Sequence, residues 1–163
     1  MIAFGKQPPN ADEEEQLTYI QEQRQNAAQS KQLFLTRLEQ LFEDIQTWST
    51  TENLQIKKQN IEITEEILGT YTAPKLSIST LESQPLADIF PIYGFSIVAE
   101  GLIGVKGGLG KEYIAYLRWG EQTLYNVSGD NWYWMVTLSG NQVYRLNKAR
   151  LLQLITTVSD YQF

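Results

Sequence analysis

The side chains that could carry chemistry in this sequence are carboxylates, glycines and aromatic rings. Glu65-Glu66, Asp88, Glu100, Glu112 and Asp130 fall at or near expected strands and turns. Glu100 stands out because it lies in an apolar run between Ala99 and Gly101, where burial would suit it to acid–base work. A hydrogen-bonded or solvated carboxylate at a strand end is the simpler alternative. The spacing supplies no second carboxylate at a defined distance, so a glycosidase-type pair cannot be read from it.

Six of the eleven glycines (Gly94, Gly101, Gly104, Gly107, Gly108 and Gly110) fall within 17 residues. Gly104 to Lys111 fails as a phosphate loop. Val105 stands where a glycine is needed, and Glu112 where a Ser or Thr should follow the lysine. The stretch also lies between strands, so no helix N-terminus is available to hold phosphate. A mobile hairpin loop needing positive φ angles is the expectation. The alternative is a flap closing on a ligand, with Glu100, Gly107, Gly108 and Asp130 as the candidate ligand site.

Thirteen of the nineteen aromatic residues lie from Phe90 onward. Trp132 and Trp134 share one strand face with Val136 and Leu138, while Tyr133 and Met135 take the other. Tyr113, Ala115, Leu117 and Trp119 form a second row. Strands apolar on both faces are either central and covered twice, or open on one side to a partner. Core packing is the plain explanation. The interaction alternative rests on Trp119, Trp132, Trp134, Tyr133 and Tyr113 as anchors.

The chain has 163 residues and neither Cys nor His. Disulfides, thiolate nucleophiles, Ser-His-Asp triads and zinc sites built on Cys or imidazole are therefore excluded. No serine stands three residues before a lysine, and no carboxylate two residues before one. These gaps remove the Ser-x-x-Lys nucleophile and a common Mg²⁺ nuclease spacing. No cofactor or metal is expected.

The formal net charge is −6. Residues 1–66 hold 12 acids and 6 bases, and residues 67–163 hold 7 of each. Without a basic footprint, nucleic-acid binding is not expected. The only basic cluster of the C-terminal part is Arg145, Lys148 and Arg150. No apolar run reaches the ~18 residues of a membrane span, and the N-terminus carries no secretory pattern, so a cytoplasmic compartment is expected.

The elements that must position these residues are readable from period and punctuation. Residues 10–68 contain neither Gly nor Pro. Asp12 can cap a helix, and Glu13, Glu14 and Glu15 place negative charge at its positive end. Leu17, Ile20, Arg24, Ala27, Lys31, Phe34, Leu38, Leu41, Ile45 and Trp48 step by three and four, a heptad seam. Its second half is bulky and should pack on the core. Asn26 and Ser30 are competent caps, which favours a break or bend between two helices near them. Residues 1–30 are expected as an acidic helical extension, and residues 31–163 as one α+β domain.

From Leu54 the period becomes two. Leu54 and Ile56 alternate on one parity, Ile61 and Ile63 on the other, so a turn or bulge near Lys58–Asn60 is expected. Further strands are expected at Leu76–Ile78, Ile89–Ile92, Phe95–Ala99, Glu112–Trp119, Thr123–Val127, Trp132–Leu138 and Gln142–Leu146. Short connections rich in Gly, Asn, Asp and Ser predict hairpins and a mainly antiparallel twisted sheet of six to eight strands. Asn147 caps a last helix striped by Leu151, Leu152, Ile155 and Val158. The class is α+β, with helices on one face of the sheet.

Pro91-Ile92-Tyr93-Gly94, Ala99-Glu100-Gly101, Trp132-Tyr133-Trp134 and Val158-Ser159-Asp160-Tyr161 resemble motifs of small, uncharacterised bacterial α+β proteins over about residues 33–163. The resemblance implies a bacterial, cytoplasmic, helix-then-sheet protein, and it carries no activity or site residue. The expectation for function is a non-enzymatic protein-binding module: an adaptor, an immunity-type inhibitor or an accessory subunit, with a protein partner or self-association. The alternative is a small-ligand module or carboxylate-dependent enzyme under a glycine-rich flap.

Overall fold

The computed structural model describes residues 13–66, 68–94, 100–119, 129–136 and 142–163. Helix α1 (Glu13–Thr50) is continuous. At ~1.5 Å per residue it is about 57 Å long. The break expected near Asn26–Ser30 is absent. An Asn or Ser inside a helix costs only about 0.5 kcal/mol relative to Ala, too little to open a hydrogen-bonded ladder that no Gly or Pro interrupts. The helix ends in a tight turn, with Asn53 at φ 59°, a left-handed conformation that Asn tolerates.

Among the described residues seven strands follow: β1 (Leu54–Glu65), β2 (Gly69–Thr80), β3 (Pro85–Tyr93), β4 (Leu102–Gly107), β5 (Gly110–Trp119), β6 (Gly129–Val136) and β7 (Gln142–Arg145). Each is antiparallel to the next, and spatial order equals chain order. Helix α2 (Lys148–Ser159) closes the chain. The Asn147 side chain accepts the Arg150 N–H at 2.9 Å, and Asp160, at φ 62°, caps the other end. Its buried stripe is Leu151, Leu154, Ile155 and Val158. Leu154 replaces the expected Leu152, which is half-buried. The strands expected at Phe95–Ala99 and Thr123–Val127 lie outside the described residues.

The parity change in β1 has a different cause from the one expected. No turn or bulge interrupts it: β1 and β2 pair without slippage from Leu54–Thr80 to Glu65–Gly69. The buried side changes in both strands at once, between Asn60 and Ile61 and between Ala73 and Pro74. β3 pairs with β2 only between Leu76 and Ser79. Beyond that point the hairpin is, among the described residues, a two-stranded ribbon, and such ribbons twist more strongly than a full sheet. The twist brings the opposite face inward, so Ile61, Ile63, Tyr71 and Ala73 join the same core as Leu54, Leu76 and Ile78. Glu65 clips the ribbon's end: its carboxylate accepts the Tyr71 hydroxyl and, at 2.9 Å, the Gly94 N–H. Burial, then the hydrogen bond and charge of Glu65, hold the Tyr71 phenol well above its ordinary pKa.

Both helices lie against one sheet face, α1 along β1 and β2 and α2 along β3 to β5. Phe34, Leu38, Leu41, Phe42 and Ile45 of α1 meet Ile89, Ile103, Val105, Ile114, Trp132 and Trp134 in one core. On the other face Ala115, Leu117 and Tyr133 form a small second cluster with Leu102, Met135 and Val143. Both faces of β5 and β6 are therefore apolar because these are interior strands with packing on each side.

Candidate functional site

The run from Glu100 into β4 is held by backbone pairing: Glu100 N–H donates to Tyr116 O, and Tyr116 N–H to Gly101 O, both at 2.9 Å. Gly101, at φ 156°, has no room for a side chain. A Cβ there would stand 2.9 Å from the Phe34 ring, and one at Gly94 would stand 2.7 Å from it. The two glycines thus flank Phe34 and let α1 approach the sheet closely. That approach carries Arg37, one turn further along α1, to the Glu100 carboxylate at 2.7 Å.

The Arg37 side chain is 15% exposed and that of Glu100 30%. The guanidinium lies 4.0 Å above the Tyr116 ring. Tyr116 in turn meets Trp132 edge-on, centroids 5.2 Å apart at 82°. Glu100, Arg37, Tyr116 and Trp132 form one connected chain that ties helix to sheet and floors an open groove.

This groove, ≈ 730 Å³, runs beside α1 from Gln32 to Asp44 and is closed on the other side by Tyr116, Asn131 and Trp132. Its helical wall carries Glu39, Glu43 and Asp44 beside Arg37. Lys58 of β1 meets Glu39 at 2.7 Å. Asp44 accepts the Gln40 amide at 3.5 Å. The wall repeats every three or four residues along the flank of the core-facing stripe.

The other expected site residues are scattered. Gly107 and Gly108 lie at the opposite end of β4 from Glu100. Their hairpin is docked: Leu109 N–H donates to Val158 O at 2.8 Å, and a Cβ at Gly107 would stand 2.3 Å from that carbonyl oxygen. Among the described glycines, positive φ occurs at Gly69 and Gly101, not in this turn. For Trp119 and Asp130 only backbone pairing is described, opposite Gly129 and Arg118.

Trp132 and Trp134 are buried in the core. The Trp134 indole N–H donates to buried Glu112 at 3.1 Å. Tyr133 is buried on the other face. Tyr113 is half-buried beneath the Lys111 ammonium, which is 5.2 Å from its ring and from that of Phe90.

Sequence reasoning singled out Glu100 but missed Arg37, Glu43 and Asp44. A signal for Arg37 exists: it lies three residues after Phe34 and four before Leu41, on the flank of the seam. Among the described residues no group of three acidic side chains gathers as a metal site, and no helix is long and apolar enough to cross a membrane. No family model, curated protein or solved structure matches this chain.

Proposed function

We propose that this chain is a protein-binding module without catalytic activity of its own, an adaptor, inhibitor or accessory subunit that docks on a larger partner. The setting is a bacterial cytoplasm, as the motif resemblance implies. The observation that supports the reading is α1. Its described side chains from Glu13 to Gln29 are exposed apart from half-buried Ala27, whereas Phe34, Leu38 and Ile45 are fully buried. Half of a long helix thus stands beyond the core and presents an acidic, hydrogen-bonding surface. Three of the carboxylates singled out above make structural contacts, which supports the reading: Glu100 meets Arg37, Glu65 meets Tyr71 and Gly94, and Glu112 meets Trp134.

The test is light scattering on the purified protein, with affinity capture and cross-linking from its native host. A defined, saturable complex with another protein is the expected result. A strictly monomeric protein that recovers no partner defeats the reading.

A further inference from the structure

We propose that the groove between α1 and the β5–β6 rim seats a short basic segment of a partner protein. A Lys or Arg of that segment meets Glu43 and Asp44, while an apolar neighbour lies against half-buried Leu35 and Tyr116. The proposal rests on the protein-binding reading above and adds the chemistry of the partner.

Charge is the first argument. The groove's lining carries three acids against one base. Arg37 is engaged by Glu100, and Lys58 engages Glu39. Glu43 and Asp44 have no cationic partner among the described residues. The whole of α1 extends the same sign, with seven acids against three bases. Such a field attracts a basic partner and speeds its encounter.

Shape is the second argument. From Gln32 to Asp44 the helix covers about 18 Å at ~1.5 Å per residue, the span of about five or six extended residues at ~3.3 Å each. The floor supplies half-buried Leu35 and the rim of Tyr116, whose ring face Arg37 already covers, and beside them the methylene stems of Lys and Arg lie favourably. A second copy of this chain is a poor occupant, since it brings a net charge of −6 and the same acidic wall. Nucleic acid is repelled for the same reason.

The experiment uses the full chain, ¹⁵N-labelled, titrated with three hexapeptides: alternating Arg and Leu, the same with Glu for Arg, and the same with Gln for Arg. Only the Arg peptide should bind. It should move the amide signals of Gln32, Thr36, Gln40 and Glu43 and the indole N–H of Trp132, and high salt should weaken it. The double variant E43K/D44K should lose at least about tenfold in affinity. E62K/E82K makes the same change in net charge at exposed positions outside the groove and should bind as the parent does.

Three results each overturn the proposal: absence of binding, equal binding of the Glu peptide, or a loss in E62K/E82K as large as in E43K/D44K. Thermal midpoints of both variants check that they fold. A natural partner that binds E43K/D44K undiminished leaves the protein-binding reading standing and removes this groove as its seat.

Discussion

The two halves of α1 share one backbone and nothing else. From Phe34 onward the helix is an integral part of the core, wedged between Gly94 and Gly101 and tied by Arg37 to Glu100. Before Lys31 the same ladder of hydrogen bonds continues, and among the described side chains little packs beneath it: Leu17 is 57% exposed. A core helix is held by what it packs on. The outer half is held by intrinsic propensity and by continuity with a nucleus already formed, which spares it the cost of initiation. Packing fixes one half in place, and the other half is available.

That contrast can be broken by substitution. Phe34→Ala removes a fully buried ring and should cost about 3–5 kcal/mol in denaturant unfolding. A loss below about 1 kcal/mol, the scale of a surface site, would mean that α1 is not anchored there. Gly101→Ala adds a methyl 2.9 Å from Phe34 at a φ that disfavours side chains, and should cost about 1–3 kcal/mol. The two sites should couple: a smaller Leu at position 34 should relieve part of the Gly101→Ala cost, whereas additive losses would deny the contact.

Tyr71 tests the ribbon clip by pH. Its folded pKa is raised, so its contribution is complete below the ordinary tyrosine value of ~10. Above that pH the unfolded chain releases the proton first, and stability falls as pH climbs. Tyr71→Phe should be less stable near neutrality, by about 1 kcal/mol for the lost hydrogen bond, and should show a shallower alkaline decline. Parallel declines in the two proteins would show that Tyr71 is not shielded. The smallest effect belongs to the outer half of α1: Leu17→Ala should change stability by less than about 0.5 kcal/mol. A larger loss would reveal that this half is packed after all.

Much of the architecture was legible. Alternation and turn residues marked most strands of an antiparallel sheet, because hairpins write both period and punctuation into adjacent residues, but not β4 (Leu102–Gly107), whose glycines look like a loop. The seam positions Phe34, Leu38, Leu41 and Ile45 were readable for the same reason. Two local inferences failed where a longer-range effect decided. Asn26 and Ser30 look like caps, yet an uninterrupted ladder overrides a weak preference. Ile61 and Ile63 look displaced by a bulge, yet the cause is twist in a ribbon that β3 no longer flattens.

The candidate site was half legible. Glu100 was conspicuous as an acid among apolar residues, but its partner is 63 residues away, and no local pattern joins two such positions. The glycine cluster was visible as well, though its reasons were not. Gly94 and Gly101 make way for a ring, and Gly107 for a helix terminus, and each reason appears only once those elements are stacked.

The strictly sequential order of the seven strands bears on how the chain is made. Each strand finds its partner immediately behind it, so pairing closes short loops, the fast route for a sheet. On the ribosome the meander can therefore grow one hairpin at a time. Phe34 is among the first core residues to emerge, but the glycines that flank it arrive much later. β1 and β2 can cover part of the bulky half of the first helix as soon as they are made, whereas the Phe34 ring must wait through synthesis of three strands for the glycines that seat it.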